Sequence, residues 1–368
     1  MRLRELRFED YDGVAAVLVR NGLRTPTRTQ WEYLGNANPN RDRLEGIPLG
    51  WVLQHDTDGI VGVFRNIAFL YEWNGEPVRL AVASAWAVDA AHRHQSLGLA
   101  MEYFKQAHVD VLLNTTAVAE TSGKAFLKFR AERVPQPTYT TRLLWITGYG
   151  AFAEDVLQSR GLPGATVLRH PAGWAMALGD ALRRMGRRRQ REHIRTVGAF
   201  DARFDRLWDV LRQRRNRLQA VRNRLTLAWR FALERHRPTI VVFELGSDLL
   251  GYVALVRRDQ DRLRRLEVAD LQAVDDDPMA VRELMDGALV EAARQDVHLV
   301  AMTGIGGTKR GALAALKPHI KIAPGWPLYY KALDRRLEEP LRSADAWDLS
   351  LYDGDALWSG MFADRTEK

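Results

Sequence analysis

Apolar and polar residues alternate along 2–7, predicting a first strand, and the spacing of Val14, Val17 and Leu18 in DYDGVAAVLVRNGL (10–23) predicts an amphipathic helix. A second helix starts near Trp31 and ends in the turn residues of WEYLGNANP (31–39). GWVLQH (50–55), the turn DTDG (56–59) and IVGVFRNIAFLYEW (60–73) read as a hairpin. The turn WNGE (73–76) leads into VRLAVASAWAV (78–88), a further strand. A helix over 95–107, a strand at DVLLNTTAV (110–118), a helix at TSGKAFLKFRAE (121–132) and a closing strand at TYTTRLLWITGY (138–149) complete the first block.

Residues 150–200 are punctuated by Gly161, Pro163, Gly164 and Pro171 and then run into GWAMALGDALRRMGRRRQREHIR (173–195), apolar early and Arg-rich late, which predicts a connecting helix. A second block follows. Helical patterns at 204–218 and 221–231 precede strands at 239–245, 249–258 and 265–274, a helix at 278–295, a strand at 297–304, a short helix, and a strand at LYYKAL (328–333). Within 221–231, Leu225 and Trp229 fall on one helical face and are expected in the core. The blocks rhyme: Trp31 and Trp229 each precede a strand, a short polar turn and a second strand carrying Gly62 or Gly251. That parallel order predicts an old duplication of an α/β unit.

Composition narrows the chemistry. The 368 residues include no cysteine, which excludes disulfides, thiolate metal sites and a Cys nucleophile. The start, MRLRELRFEDYD, has no apolar signal-peptide core, and no apolar run is long enough to span a membrane, so the expected location is cytoplasmic. Residues 151–230 hold 18 Arg against 7 acids while the whole chain is only +8, so the remainder is slightly acidic. That asymmetry suits either a solvated Arg-rich face or contact of residues 183–224 with a polyanion, such as tRNA or an anionic membrane surface to which the protein would be peripheral. The histidines show no paired metal spacing, so no metal is expected. GIGGTKRG (304–311) is too short for a phosphate-binding P-loop and reads as a turn before a helix. Asp275, Asp276 and Asp277 read as a helix start rather than a metal site.

HRHQSLGLAM (92–101) carries the most chemistry. It stands where a strand turns into a helix, holds Arg93 beside the small residues Ser96 and Gly98, and contains no acid. A helix N-terminus exposes unpaired N–H groups and a partial positive charge, so small residues there let an anion reach the backbone. VDAAHRHQSLGLA (88–100) resembles the acyl-CoA loop of the GNAT superfamily of acyltransferases, with Ser96 where the first Gly usually stands. The order of elements over 1–148 is similar as well. Residues 112–137, 222–231 and 346–358 look like tandem acetyltransferase-like proteins found with exopolysaccharide genes.

The resemblance implies an α/β (α+β) fold of two tandem GNAT-like domains, each a mixed central sheet flanked by helices. An acyl-CoA-binding domain would span 1–150, an Arg-rich linker 151–200, a second GNAT-like domain without the loop 201–340, and a tail 341–368. It implies acetyl-CoA or another acyl-CoA as co-substrate, held by Val88, Arg93, His94, Gln95, Ser96, Leu97, Gly98 and Leu99, with Phe126 beside it. The strand ending at Val88 would splay from strand 110–118 to admit the pantetheine arm. The acyl group, acetyl in the first instance, would pass to an amine or hydroxyl of a small-molecule or saccharide acceptor. Where the family often carries an Asn and a Tyr acid, this chain has Ala119 and Phe126. Candidate catalytic groups near the slot are therefore Ser84, Asn114 and Glu120. His92 and His94 would face the phosphates, and Arg222 and Arg230 would line an acceptor cleft. The alternatives are an aminoacyl-tRNA-dependent transferase of the FemAB kind and a catalytically degenerate binding protein.

Overall fold

The computed structural model of the chain describes residues 1–116, 120–159, 192–234, 237–259, 263–322 and 327–359. The N-terminal half runs β1 (Arg2–Glu5), α1 (Tyr11–Arg20), α2 (Arg28–Asn36), β2 (Gly50–His55), β3 (Gly59–Trp73), β4 (Glu76–Val88), α3 (Ser96–Lys105), β5 (Val111–Asn114), α4 (Glu120–Lys128), β6 (Glu132–Arg133), β7 (Thr141–Ile146) and α5 (Tyr149–Ser159). The C-terminal half supplies β8 (Ile194–Val197), β9 (Leu218–Ala220), β10 (Thr239–Leu245), β11 (Asp248–Arg257), β12 (Arg265–Ala273), β13 (Leu299–Thr303), β14 (His319–Ile322) and β15 (Tyr329–Ala332). Helices Ala202–Leu211, Arg224–Phe231 and Pro278–Arg294 lie between these strands.

Local chemistry explains several boundaries. Thr27 and Gln30 form reciprocal side-chain bonds to each other's amides and start α2. Asp277 accepts the amide of Ala280 at 2.7 Å and caps the long helix. Val14, Val17 and Leu18 form the buried stripe of α1, as their spacing predicted.

Two mixed sheets result. The first runs β1-β2-β3-β4-β5-β15-β6, with β9 added to β3; the second runs β14-β7-β13-β12-β11-β10-β8. The halves exchange strands. β7, which the sequence places last in the first block, pairs antiparallel with β13 in the second sheet. β15, from the end of the second block, pairs antiparallel with β5 in the first. Leu218, expected to close the helix over 204–218, instead begins β9, which pairs with β3.

The sheets share one apolar core. Ile67, Phe69 and Tyr71 of β3 meet Val242, Tyr252 and Ala254 of the second sheet, and Trp347, Leu349 and Tyr352 of the C-terminal segment lie among them. The matched glycines mark close approaches. A Cβ at Gly62 would lie 2.9 Å from Leu53 Cδ1, and one at Gly251 would lie 2.6 Å from the Gln272 carbonyl oxygen. Among the described residues no helix is long and apolar enough to cross a membrane. Residues 160–191, which hold most of the predicted Arg-rich connecting helix, lie outside the described residues.

Candidate active site

β4 runs parallel to β5 only where Leu80, Ala81 and Val82 face Val111, Leu112 and Leu113. Past Val82, β4 continues to Val88 bonded to β3 alone, while β5 stops at Asn114. The strands part at a bulge: Arg65 faces Ala85 and Asn66 faces Ala83, so Ser84 is an extra residue on β4. A bulge bends its strand and increases its twist, which carries the end of β4 away from β5. The Tyr103 hydroxyl, 3.1 Å from Ala81 O and 3.2 Å from Leu113 O, spans the last paired level. Beyond β4, the Asp89 carboxylate is fixed by Arg20 at 2.6 Å and Asn21 at 3.0 Å.

After Asp89 a short 3-10 helix, Ala90–Gln95, runs straight into α3, and no side chain caps the start of α3. Arg93, His94, Gln95 and Leu97 are exposed, and Ser96 and Gly98 are half-buried. A Cβ at Gly98 would meet only Leu3 Cδ1, at 3.7 Å. The turn is therefore open to a ligand. The Ser96 amide, however, already donates to Arg93 O, so it is not among the donors open to an anion.

Three residues assigned to the cofactor are packed in the core. Val88 and Leu99 are buried with Trp51 and Tyr103. Phe126 lies among Phe104, Tyr103 and Tyr329, with ring centroids 5.1, 6.0 and 5.8 Å away. Their side chains hold α3 and α4 against the sheet. His92 likewise turns to the β2–β3 hairpin, with its Nε2 3.8 Å from Asp58 and its ring 5.2 Å from His55.

The two candidate catalytic groups on β4 and β5 flank the parting. The Ser84 hydroxyl is buried without a partner among the described residues. Asn114 ends β5 and accepts the Thr116 amide at 3.3 Å. Glu120 begins α4, but its side chain lies outside the described residues, as does Ala119.

The residue that sequence reading missed at this point is Asp355. The C-terminal segment passes between the sheets and brings its carboxyl to the end of β5, where Thr115 and Thr116 donate to it at 3.0 and 3.1 Å. Asp355 is 2% exposed. Burial pushes its carboxyl up to about 6, against the opposing pull of the two hydroxyls. A pKa there makes a carboxylate a competent proton acceptor near neutral pH.

Elsewhere on the first sheet, on the face that carries α2, is a cavity of about 550 Å³ between α2, residues 41–49 and β3. Its walls are mixed: Trp31, Leu44, Ile47, Leu49 and Ile67 stand with Asn38, Arg41, Asp42, Glu45 and Asn66. Arg65 enters it from β3, stacked 4.5 Å over the Trp31 ring. No hydrogen bond or ion pair among the described residues engages its guanidinium. Burial lowers the Arg65 pKa to about 10, with the Asp355 charge opposing. A lone Arg in the apolar run IVGVFRNIAFLYEW was the only sequence signal for this group.

Neither a protein-family model nor a curated protein matches the sequence. Solved structures do match in shape. A GCN5-related N-acetyltransferase from Anabaena variabilis superposes with a TM-score of 0.56 at 10% identity, covering 90% of this chain and 72% of that one. A probable N-acyltransferase from Enterococcus faecalis gives 0.57 at 10% identity, covering 90% and 73%. N-myristoyltransferase from Saccharomyces cerevisiae, solved with bound myristoyl-CoA, gives 0.53 at 12% identity, covering 89% and 79%. The fold is the GNAT fold.

The second GNAT-like sheet repeats the geometry of the first with different chemistry. Three residues past the matched glycine, Ala254 faces Asp270 and Leu255 faces Val268, so Ala269 is the extra residue of a bulge, as Ser84 is in β4. There Ala254 stands in the place of Arg65, and Asp270 in that of Ala85. Asp270 is occupied: Arg222 bonds it at 2.9 Å and Asp353 at 3.0 Å, and the Tyr252 hydroxyl donates to it at 2.5 Å.

Arg222 and Arg230 therefore do not line an acceptor cleft as expected. Both are buried. Arg222 joins two acids inside the core, and Arg230 donates to the Tyr352 and Gly354 carbonyls beneath the rings of Phe69, Tyr352 and Trp358. Their work is to hold the segment that carries Asp355. Leu225, expected beside Trp229 in the core, is 58% exposed, whereas Trp229 is buried.

Among the described residues of the Arg-rich stretch, several arginines pair with the chain's own acids. Arg203 pairs with Glu244, Arg206 with Asp248, Arg212 with Glu72, and Arg217 with Asp276. Lys309 of GIGGTKRG is buried against Asp348 and the Leu271 carbonyl. Among the described residues no group of three metal-ligating side chains converges.

Proposed function

We propose that the chain is an acyl-CoA-dependent acyltransferase with one site, at the parting of β4 and β5. The arrangement that carries this reading is the strand opening with the exposed start of α3 at one end and the Asp355 carboxyl at the other. Its residues fit the co-substrate: Gly98 leaves the first turn of α3 open, Arg93 adds an exposed positive charge, and the bulge at Ser84 frees one edge of β4. Acyl-CoA, when bound, supplies the acyl thioester, acetyl being the simplest case. Asp355 takes the proton that an acceptor amine or hydroxyl must lose before it can attack. Thr115 and Thr116 hold that carboxylate in one orientation. Ser84, at the bulge, is placed to relay or donate a hydrogen bond. Phe126 leaves no phenol at its own position, and a thiolate is a good enough leaving group to depart without one. The resemblance of 112–137 and 346–358 to exopolysaccharide-associated proteins makes a saccharide precursor the acceptor to try first.

Acetyl-CoA at about 100 times its dissociation constant should stabilise the protein by about 2.7 kcal/mol in thermal unfolding. Gly98→Glu should abolish that gain. An acid in the first turn of a helix is otherwise favourable, and the site has room for it, so the unliganded variant should melt no lower than the parent. A retained stabilisation in Gly98→Glu would place the diphosphate elsewhere and remove the basis of the assignment.

A further inference from the structure

The cavity between α2, residues 41–49 and β3 is not used by acyl-CoA binding at α3, and no residue of β4, β5 or the C-terminal segment lines it. Its charged side chains are uncommitted. Elsewhere in the first half an arginine drawn off the surface finds an acid, as Arg4 finds Asp10 at 2.7 Å. Here the half-buried Arg65 has only the Trp31 ring against its guanidinium, at 4.5 Å. The side chains of Arg41, Asp42 and Glu45, exposed at the rim, also make no hydrogen bond or ion pair among the described residues. A cation held inside a cleft without a partner is costly unless something completes it.

The walls restrict what that is. A volume of about 550 Å³ is of small-molecule size. Trp31, Leu44 and Ile67 give it an apolar inner side, while the rim offers donors from Arg41 and acceptors from Asp42 and Glu45. A hydroxyl both donates and accepts, so such a rim suits a polyol, and the C–H face of a sugar ring suits the apolar side. A carboxylate matches the single interior guanidinium, which can bond it through two N–H groups at once. Two lining arginines against two acids leave no net positive charge, which disfavours a polyanion such as a diphosphate. An acyl chain or a plain aromatic acid would leave the polar rim unused.

We propose that this cavity is an anchoring subsite for an acidic saccharide, with a sugar carboxylate on Arg65 and sugar hydroxyls on Arg41, Asp42 and Glu45. The inference rests on the acyl-transfer reading for the use made of the bound sugar, and it narrows the saccharide acceptor to one bearing a carboxylate. The position suits anchoring rather than reaction. Arg65 and Asn66 face Ala85 and Ala83 of β4, on either side of the extra residue Ser84. The floor of the cavity is thus one strand spacing, about 4.8 Å, from the bulge at which β4 parts from β5. The exposed rim leaves room for the rest of the saccharide outside, and a hydroxyl there is the one acylated. Its oxygen bonds to the thioester carbonyl carbon and loses its proton as the carbon–sulfur bond breaks. The electron pair goes to sulfur, which takes up a proton, so ester and free coenzyme A are the products.

The test is calorimetry of the full chain, without acetyl-CoA, against methyl glucuronoside, methyl glucoside, benzoate and glucose 1-phosphate. The glucuronoside should bind about 10- to 100-fold more tightly than the neutral glucoside, as a hydrogen-bonded charge implies, and more tightly than benzoate, which has no hydroxyls for the rim. That comparison uses the parent protein alone and so does not depend on how a variant folds. Arg65→Gln should bring the glucuronoside down to the glucoside, and Arg65→Lys should restore part of the difference, with the melting shift induced by acetyl-CoA unchanged in both. No binding of the glucuronoside, equal binding of acid and neutral sugar, tighter binding of benzoate or of glucose 1-phosphate, or glucuronoside binding unaltered by Arg65→Gln would each overturn the inference. If acetyl-CoA gives no shift but Arg65-dependent glucuronoside binding persists, the acyl-transfer reading fails and the subsite stands. If the shift is present and the glucuronoside does not bind, the subsite fails and the acyl-transfer reading stands.

Discussion

Asp355→Asn should lower kcat by about 10²–10⁴ while leaving the melting shift induced by acetyl-CoA unchanged. The amide keeps the size and one acceptor oxygen of the carboxylate, so Thr115 or Thr116 can still donate to it. What disappears is the group that can take a proton. On the proposed mechanism, the parent protein should gain transfer activity as pH rises through about 6, the value to which burial pushes this carboxyl, because only the ionised form is a base. The variant should lack that acid limb. Activity within a few-fold of the parent, or an unaltered limb, would remove Asp355 from the reaction.

The same substitution should make the protein more stable at pH 8. The Asp355 pKa is raised in the folded protein from 3.8 to about 6, the reverse of the usual ion-paired carboxylate. Between those values the folded chain holds a proton that the unfolded chain has released, so stability falls as pH rises through the window and stays lower above it. The displacement corresponds to at most about 3 kcal/mol. Asp355→Asn should recover part of that at pH 8 and gain nothing at pH 3.5, by denaturant unfolding at both. A group that costs stability at working pH is one whose retention needs a function to explain it.

Elements with local signals were legible in the sequence. The α1 stripe of Val14, Val17 and Leu18, the DTDG hairpin and the parallel glycines Gly62 and Gly251 each depend on neighbours within a few residues. So was the turn before α3, because small residues and an Arg at a strand-to-helix junction are a local pattern. Which sheet a strand joins was not legible. Alternation tells which side of a strand is buried, and TYTTRLLWITGY and LYYKAL fit either sheet equally, so the exchange of β7 and β15 left no trace. Long-range polar contacts were equally silent. Asp355 meets Thr115 across 240 residues, and Arg222 meets Asp353 across 131. An Arg on a short helix looks like surface until the acids that neutralise it arrive from elsewhere, which is why Arg222 and Arg230 were read as cleft residues. Phe126 sits where a tyrosine acid was sought because its ring completes a cluster with Tyr103, Phe104 and Tyr329, the last brought in by the exchanged strand.

The buried pairing of Arg222 carries a second large effect. Removing its charge by Arg222→Ala leaves Asp270 and Asp353 in the core with no cation between them. Burial alone would push the Asp270 carboxyl up, and Arg222 pulls it below the ordinary range; for Asp353 burial outweighs the same neighbour, so its carboxyl stays raised. Breaking one partner of such a network typically costs about 3–5 kcal/mol, far more than the pair contributes over a well-packed apolar substitute. Arg222→Ala should therefore unfold at markedly lower urea at pH 7. Arg222→Lys should fall between, because a single ammonium cannot span both carboxylates as the fork does. Adding Asp270→Asn to Arg222→Ala should recover a substantial part of the loss, since the cost lies in the stranded charge rather than in the missing contact. No rescue in the double variant would mean that Arg222 acts through packing against Tyr352, 4.7 Å beneath its guanidinium, and that the C-terminal segment bearing Asp355 is held by shape alone.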